Sequence, residues 1–298
     1  MSGAQRSRQW FTNLQKPLGK ILFTLVIAVI VFTVLAPFVW MAISSVSTPR
    51  ALAQKPPEWI PNPATWERYK ALFTSDASGL NLPVSAETFR SAILTSFIVA
   101  TTTTIIAVGT GAAAAFAFVR LRIPGVKYLL IATLAVQMLP VLVLIIPLFL
   151  MMQSLGLLDT HLGLIVVYSG YLLPVVVWIL VSYFESIPPD MEEAAMVDGC
   201  SRAETLVRVV LPLALPGLAA VAVFSFLSAW NEFFMALIFT SSNAKTITVA
   251  ITEFTTQAGA DLGLMATGGM IGAIPPIILA IAAHRYIVGG LTTGGVKS

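Results

Sequence analysis

Residues 185–216 read ESIPPDMEEAAMVDGCSRAETLVRVVLPLALP, and they decide the fold because of what flanks them. Pro188 suits the first turn of a helix, and Asp190 with Glu193 offers an alternative capping box one step later. Gly199 fits the left-handed position that ends a helix. Ser201 then caps a second helix with Glu204 three residues on, and Pro212 and Pro216 close the unit. The pattern predicts a short helix, a glycine break and a second helix, with an exposed Ala194–Ala195 face small enough for another protein to come close. An ordinary interhelical loop has the same composition, and local physics leaves both readings open.

Outward from this insert the chain is apolar. Of 298 residues, 57% are hydrophobic and only 10% charged, whereas a soluble domain carries about 25% charged residues. Much of the surface must therefore face lipid. A spanning helix needs about 20 mainly apolar residues. Six stretches qualify: Ile21–Ile43, Ser91–Val119, Tyr128–Met152, Leu162–Phe184, Leu213–Phe239 and Leu262–His284. The first follows Arg6, Arg8, Lys16 and Lys20, as a secretory signal would. It is too long for a signal core, runs on through Pro37 and Trp40, and shows no small-x-small cleavage pattern, so it is expected to be an uncleaved first span.

Lys and Arg set the orientation. With the N-terminus inside, the inner segments hold Arg6, Arg8, Lys16, Lys20, Arg120, Arg122, Lys127, Arg202, Arg208, Arg285 and Lys297. The outer ones hold Arg50, Lys55, Arg68, Lys70, Arg90 and Lys245. Eleven against six favours both termini inside. The expected layout is a cytoplasmic segment 1–20, a six-helix membrane domain 21–288 with the insert at 185–216, and a cytoplasmic tail 289–298. Gly109, Gly111 and Ala112–Ala115 would let the second helix pack closely. Pro140, Pro147 and Pro174 break helix hydrogen bonds, as gated paths and plain packing irregularities both do.

Composition excludes several functions. Cys200 is the lone cysteine, and His161 and His284 are too far apart for metal-ligand spacing, so no metal is expected. No His/Asp/Glu or Ser/Lys constellation lies within the spans, so no catalytic residue is expected. The chain has no G-x-x-x-x-G-K-[ST] phosphate loop, so any ATP and Mg must be bound by another subunit. Nothing points to nucleic acid.

The insert resembles the EAA loop of bacterial ABC importer permeases: Glu193-Ala194-Ala195, three residues, Gly199, nine residues, then Val209-Val210-Leu211-Pro212. The family has isoleucine where Val209 stands. Trp59-Ile60-Pro61, Ala117-Phe118 with Arg120, Arg122 and Pro124-Gly125, Ile146-Pro147-Leu148, and Trp230-Asn231-Glu232-Phe233 extend the likeness to carbohydrate importers. The end of the chain, through Thr293, Gly294, Gly295, Val296 and Lys297, is similar to the tail of MalG-like permeases. The resemblance implies a type I ABC importer permease fold in a bacterial plasma (inner) membrane, with Glu192, Glu193, Ala194, Ala195, Asp198, Gly199, Leu211 and Pro212 coupling to an ATPase and the tail reaching the ATPase interface. It implies a MalF-like second permease, two cytoplasmic ATPase subunits and an extracytoplasmic sugar-binding protein as partners.

Candidates for the substrate path are Gln137, Trp230, Asn231 and Glu232. Glu232 is the only acid inside a predicted span, about 24 Å beyond Pro216 at 1.5 Å per residue. Either it bonds sugar hydroxyls in a cavity or it locks the fifth helix to a neighbour. Gln137 is equally a helix–helix hydrogen bond or a cavity residue. Sugars of the di- or oligosaccharide class are expected. Glycerol-3-phosphate or another small solute is the alternative, disfavoured because no Arg or Lys lies within a span. An ion-coupled secondary transporter would show several intramembrane charges and internal repeats, and neither is found.

Overall fold

The computed structural model describes residues 3–56, 58–74, 86–121, 124–256 and 259–293. The described elements are helical except for a two-residue antiparallel pairing of β1 (Thr255–Thr256) with β2 (Gly259–Ala260). The chain divides into two compact units, Met1–Tyr69 with Asp261–Met270, and Lys70–Ala260 with Ile271–Ser298.

In the first unit, α1 (Gly3–Val46), followed by the short α2 (Pro49–Ala53), carries the first predicted span, and its side chains from Ile21 to Val39 are mostly exposed, as a lipid-facing helix requires. Its end is capped by a residue the sequence offered only as a topology charge. A helix leaves its last carbonyls without partners, and cations suit that end. The Arg68 guanidinium, at the start of α3 (Glu67–Phe73), donates to the Ser45 and Ser47 carbonyls. Thr267 adds its hydroxyl to the Ser45 carbonyl at 3.3 Å, and the Tyr69 hydroxyl bonds the Ser45 hydroxyl at 2.8 Å. Arg68 is 2% exposed. Burial lowers its pKa, and the nearby Asp261 and Glu67 carboxylates oppose that shift.

The second unit is built on α4 (Ala86–Arg120) and α7 (His161–Glu185), which pack along their lengths, with α11 (Leu215–Trp230) against both. In lipid such packing rests on close backbone approach. Gly111 supplies it: a Cβ there would run into Val176 of α7. Ala107 and Ala115 on α4 are fully buried, as are Val176 and Leu180 on α7.

Four of the predicted spans are unbroken, within Lys20–Val46, Thr88–Arg120, His161–Glu185 and Leu262–His284, the last being part of α14 (Leu262–Thr293). The other two are corrected. Tyr128–Met152 is two helices, α5 (Val126–Gln137) and α6 (Val141–Ser154), separated at Met138–Pro140. Pro140 lacks an N–H and disfavours helical geometry at Leu139, so the ladder stops there. Leu213–Phe239 is interrupted at Asn231–Phe233, after which α12 (Phe234–Phe239) resumes, and the short α13 (Ile247–Thr252) follows it.

The insert itself folds much as its sequence requires. α8 spans Pro189–Val197 with Pro188 at its N-cap, one residue later than expected, and no Asp190 capping box forms. Gly199 has φ +93°, and the Cys200 N–H returns to the Ala195 carbonyl at 3.0 Å. The Ser201–Glu204 capping box is complete at the head of α9 (Arg202–Thr205). The chain continues through a π-helical turn, Leu206–Val210, into α10 (Leu211–Leu213), and then bends 83° into α11. Pro216 has no N–H for the Pro212 carbonyl, which loosens the ladder at that bend.

Candidate functional site

Helical periodicity puts residues three apart on one face, and this divides the coupling candidates. Glu192 and Ala195 turn inward, at 5% and 9% exposure, while Glu193, Ala194, Asp198 and Gly199 are exposed. The expected Ala194–Ala195 face is therefore corrected: only Ala194 presents itself outward. Met191, Met196 and Val197 add apolar surface beside it. Leu211 is half-buried and Pro212 exposed on the far side of the glycine break.

Glu192 is not part of the outer face at all. Its carboxylate takes the Arg120 Nε–H at 2.8 and 2.9 Å and lies 2.7 Å from Arg120 Nη2. A cleft of about 510 Å³ borders this pair, walled by Phe116 and Leu121 at the end of α4 and by Pro189, Glu193, Met196 and Arg202 of the insert. On the second helix of the insert, Glu204 is held below its usual pKa by the Ser201 N–H and hydroxyl and by Arg208.

The substrate-path candidates separate as well. Trp230 is buried and donates its indole N–H to the Gly272 carbonyl at 3.0 Å. Asn231 bonds back to Leu227. Glu232 fills the helix break: it accepts from the Tyr168 hydroxyl at 2.8 Å and from the Met235 and Ala236 N–H groups at 2.9 and 3.1 Å. Those N–H groups open α12 and would otherwise be orphans. These contacts tie α12 to Tyr168 of α7. Gln137 donates to the Tyr171 carbonyl and also lines a cavity of about 330 Å³ with Thr133, Gly170, Tyr171, Pro174 and Met235.

At the α6–α7 end of the unit, Asp159 forms a clasp that sequence reading missed. Its carboxylate accepts from the N–H groups of Ser241, Ser242, Asn243 and Ala244 and from the Ser241 hydroxyl at 2.9 Å. Burial works against the charge, but these donors outweigh it and hold the Asp159 carboxyl well below the usual carboxylate range. The signal available was an Asp-Thr pair heading a span and a Ser-Ser-Asn run after another. Of the tail candidates, Thr293 ends α14, while Gly294, Gly295, Val296 and Lys297 lie outside the described residues.

Whole and broken apolar spans, interrupted by a helix–glycine–helix insert, define a polytopic membrane protein. The chain belongs to the family of binding-protein-dependent transport system inner membrane components, whose model matches residues 107–292. It is thus an ABC importer permease subunit, the membrane-embedded part of a transporter and not an enzyme. It is 36% identical over 298 residues to the trehalose transport system permease protein SugB of Mycobacterium tuberculosis, covering 99% of each chain. It is 34% identical over 280 residues to the sulfoquinovosyl glycerol transport system permease protein SmoH of Agrobacterium fabrum, covering 94% of each. Its fold matches, with a TM-score of 0.74 and 20% identity, a chain in the crystal structure of a bacterial ABC transporter that imports the acidic polysaccharide alginate, covering 91% of this chain and 97% of that one.

Proposed function

We propose that this chain is one of two permease subunits of an ATP-driven importer of neutral di- or oligosaccharides. The observation that carries the reading is end-to-end likeness to a trehalose permease, including the whole insert. A MalF-like second permease completes the pathway, an extracytoplasmic binding protein delivers the sugar, and two cytoplasmic ATPase subunits bind ATP and Mg. Six crossings with both termini in the cytoplasm follow if α5 with α6, and α11 with α12, each count as one broken crossing. Prolines and breaks of this kind are tolerated in membranes where protein or a cavity satisfies the freed backbone.

Within that complex α8 is the docking helix. Glu193 and Ala194 face the ATPase, Asp198 and Gly199 set the turn, and Leu211 and Pro212 lead the motion into α11. The tail, Thr293 to Lys297, reaches the ATPase pair. Of the path candidates, Gln137 and its cavity are kept. A mainly apolar wall, with Gln137, Thr133 and Tyr171 as its polar side chains, suits passage, since a path must release what it binds.

The test is reconstitution with the cognate second permease, ATPase and binding protein in vesicles, offered trehalose, maltodextrin and glycerol-3-phosphate. Uptake of a neutral sugar that needs ATP and the binding protein is expected. Uptake of glycerol-3-phosphate alone would move the chain to the phosphorylated-solute branch of the class, and uptake driven by an ion gradient without ATP would refute the reading.

A further inference from the structure

Arg120 is the last residue of α4, and its guanidinium holds three elements at once. Nε donates to both Glu192 oxygens of α8, while Nη2 donates to the Phe184 and Ile187 carbonyls at 3.0 Å each. Those carbonyls belong to the end of α7 and the turn that leads through Pro188 into α8. Glu192 is 5% exposed, so this ion pair is shielded from water.

We propose that Arg120, paired with Glu192, is the positioning residue that fixes the rotation of α8 and passes its displacement to α4 and α7 together. The inference rests on the reading of α8 as the docking helix. α8 hangs between Pro188 and Gly199 and packs on α9 and the π-helical turn that follows. The buried Glu192 adds the ion pair that sets its rotation: with that side chain turned in, helix geometry turns Glu193 and Ala194 out. A push on the outer face then acts on a rigid joint shared by the two longest-packed helices of the unit. Lysine cannot replace this residue, because an ammonium is a point charge without the planar fork that serves a carboxylate and two carbonyls together. Removing either partner leaves the other charge buried and unpaired, which is strongly unfavourable, so the joint is expected to loosen while α8, still held between Pro188 and Gly199, continues to reach the ATPase.

The experiment uses the complete complex in vesicles, with Arg120→Lys, Arg120→Gln, Glu192→Gln and the double variant Arg120→Gln/Glu192→Gln. Yield of assembled complex, ATPase retention, ATP hydrolysis with and without sugar-loaded binding protein, and sugar imported per ATP are measured. Each single variant should retain its ATPase subunits and basal hydrolysis, yet lose stimulation and sugar per ATP by about 5- to 150-fold, the span of typical coupling between sites. The double variant should be no worse than the singles, as for two partners of one interaction. If Arg120→Gln fails to assemble, Arg120→Lys and Glu192→Gln carry the test. A loss of yield with unchanged sugar per ATP overturns the proposal, since a merely structural role scales all activities in step. Parental stimulation in every variant overturns it too. Ala194→Trp on the outer face separates the underlying reading. ATPase loss in Ala194→Trp with normal coupling in the Arg120 and Glu192 variants defeats the joint alone. Normal ATPase retention in Ala194→Trp defeats the docking-helix reading and the joint with it.

Discussion

Replacing Glu232 with alanine removes three acceptor contacts from one helix break. The Tyr168 hydroxyl and the Met235 and Ala236 N–H groups lose their partner, and Tyr168, Met235 and Ala236 are each buried, at 2%, 2% and 0% exposure. With the carboxylate gone, none of the three keeps a protein partner, so each becomes an unsatisfied donor. At about 1–3 kcal/mol for each orphan, the loss is roughly 3 kcal/mol or more. Glu232→Gln keeps one carboxamide oxygen as an acceptor but turns the other position into a donor that faces the Ala236 N–H. The tyrosine hydroxyl can reorient, so one orphan remains, and the cost is about 1–3 kcal/mol. The assay is thermal stability of the purified complex by fluorescence-detected size exclusion, with uptake normalised to folded complex. The expected order of stability is parent, then Gln, then Ala, with near-parental uptake per folded complex for Gln. Parental stability in both variants, with uptake per folded complex lost, would refute the brace and return the carboxylate to the sugar path.

Asp159 gives a pH-dependent prediction. Its folded-state pKa is lowered, so its stabilising contribution is present above the unfolded value of about 4 and is lost as pH falls below that towards the folded value. Asp159→Asn should therefore lower thermal stability at neutral pH, and the gap to the parent should narrow in acid. An equal gap at both pH values would contradict the clasp. Gly111→Leu should disrupt the α4–α7 contact, because its side chain would collide with Val176. Misfit of this kind costs about 1–3 kcal/mol, read as reduced yield of assembled complex. For topology, a cysteine at Ser78 should react with an impermeant thiol reagent from outside and one at Ser298 should not. Cys200 is replaced by serine first, and the reverse labelling would overturn the orientation.

What the sequence revealed depended on the range of the interaction. Long apolar runs, the Ser201–Glu204 box and the positive φ at Gly199 are local, and each is legible from residues within a few positions. The breaks at Met138–Pro140 and Asn231–Phe233 were hidden because hydropathy averages over a span and does not register a missing backbone bond. Pro140 was a visible warning, but proline inside a span is also tolerated without a full break: Pro147 and Pro174 sit within α6 and α7. The Arg120–Glu192 pair joins positions 72 apart, and adjacent Glu192 and Glu193 looked equivalent until helix phase put one inside and one outside. Arg68 and Asp159 were hidden for a related reason: many of their partners are backbone groups of segments far along the chain, and the Ser241–Asn243 side chains that also meet Asp159 stand 82 to 84 positions away.

The central claim is that the insert joins this permease to a separate ATPase, and Gly199 tests it most directly. A Cβ at position 199 would meet no neighbouring atom, so the penalty that valine brings at φ +93° is chiefly backbone strain, about 1–3 kcal/mol for a non-glycine residue in that region and more for a β-branched one. The strain falls on the turn after α8 and leaves the spans untouched. The measurement is co-purification of ATPase with the Gly199→Val permease pair, together with ATP-dependent sugar uptake in vesicles. The account predicts a membrane-inserted, folded permease that retains little ATPase or stimulates it poorly, and imports little sugar. Normal ATPase retention with full uptake would contradict it.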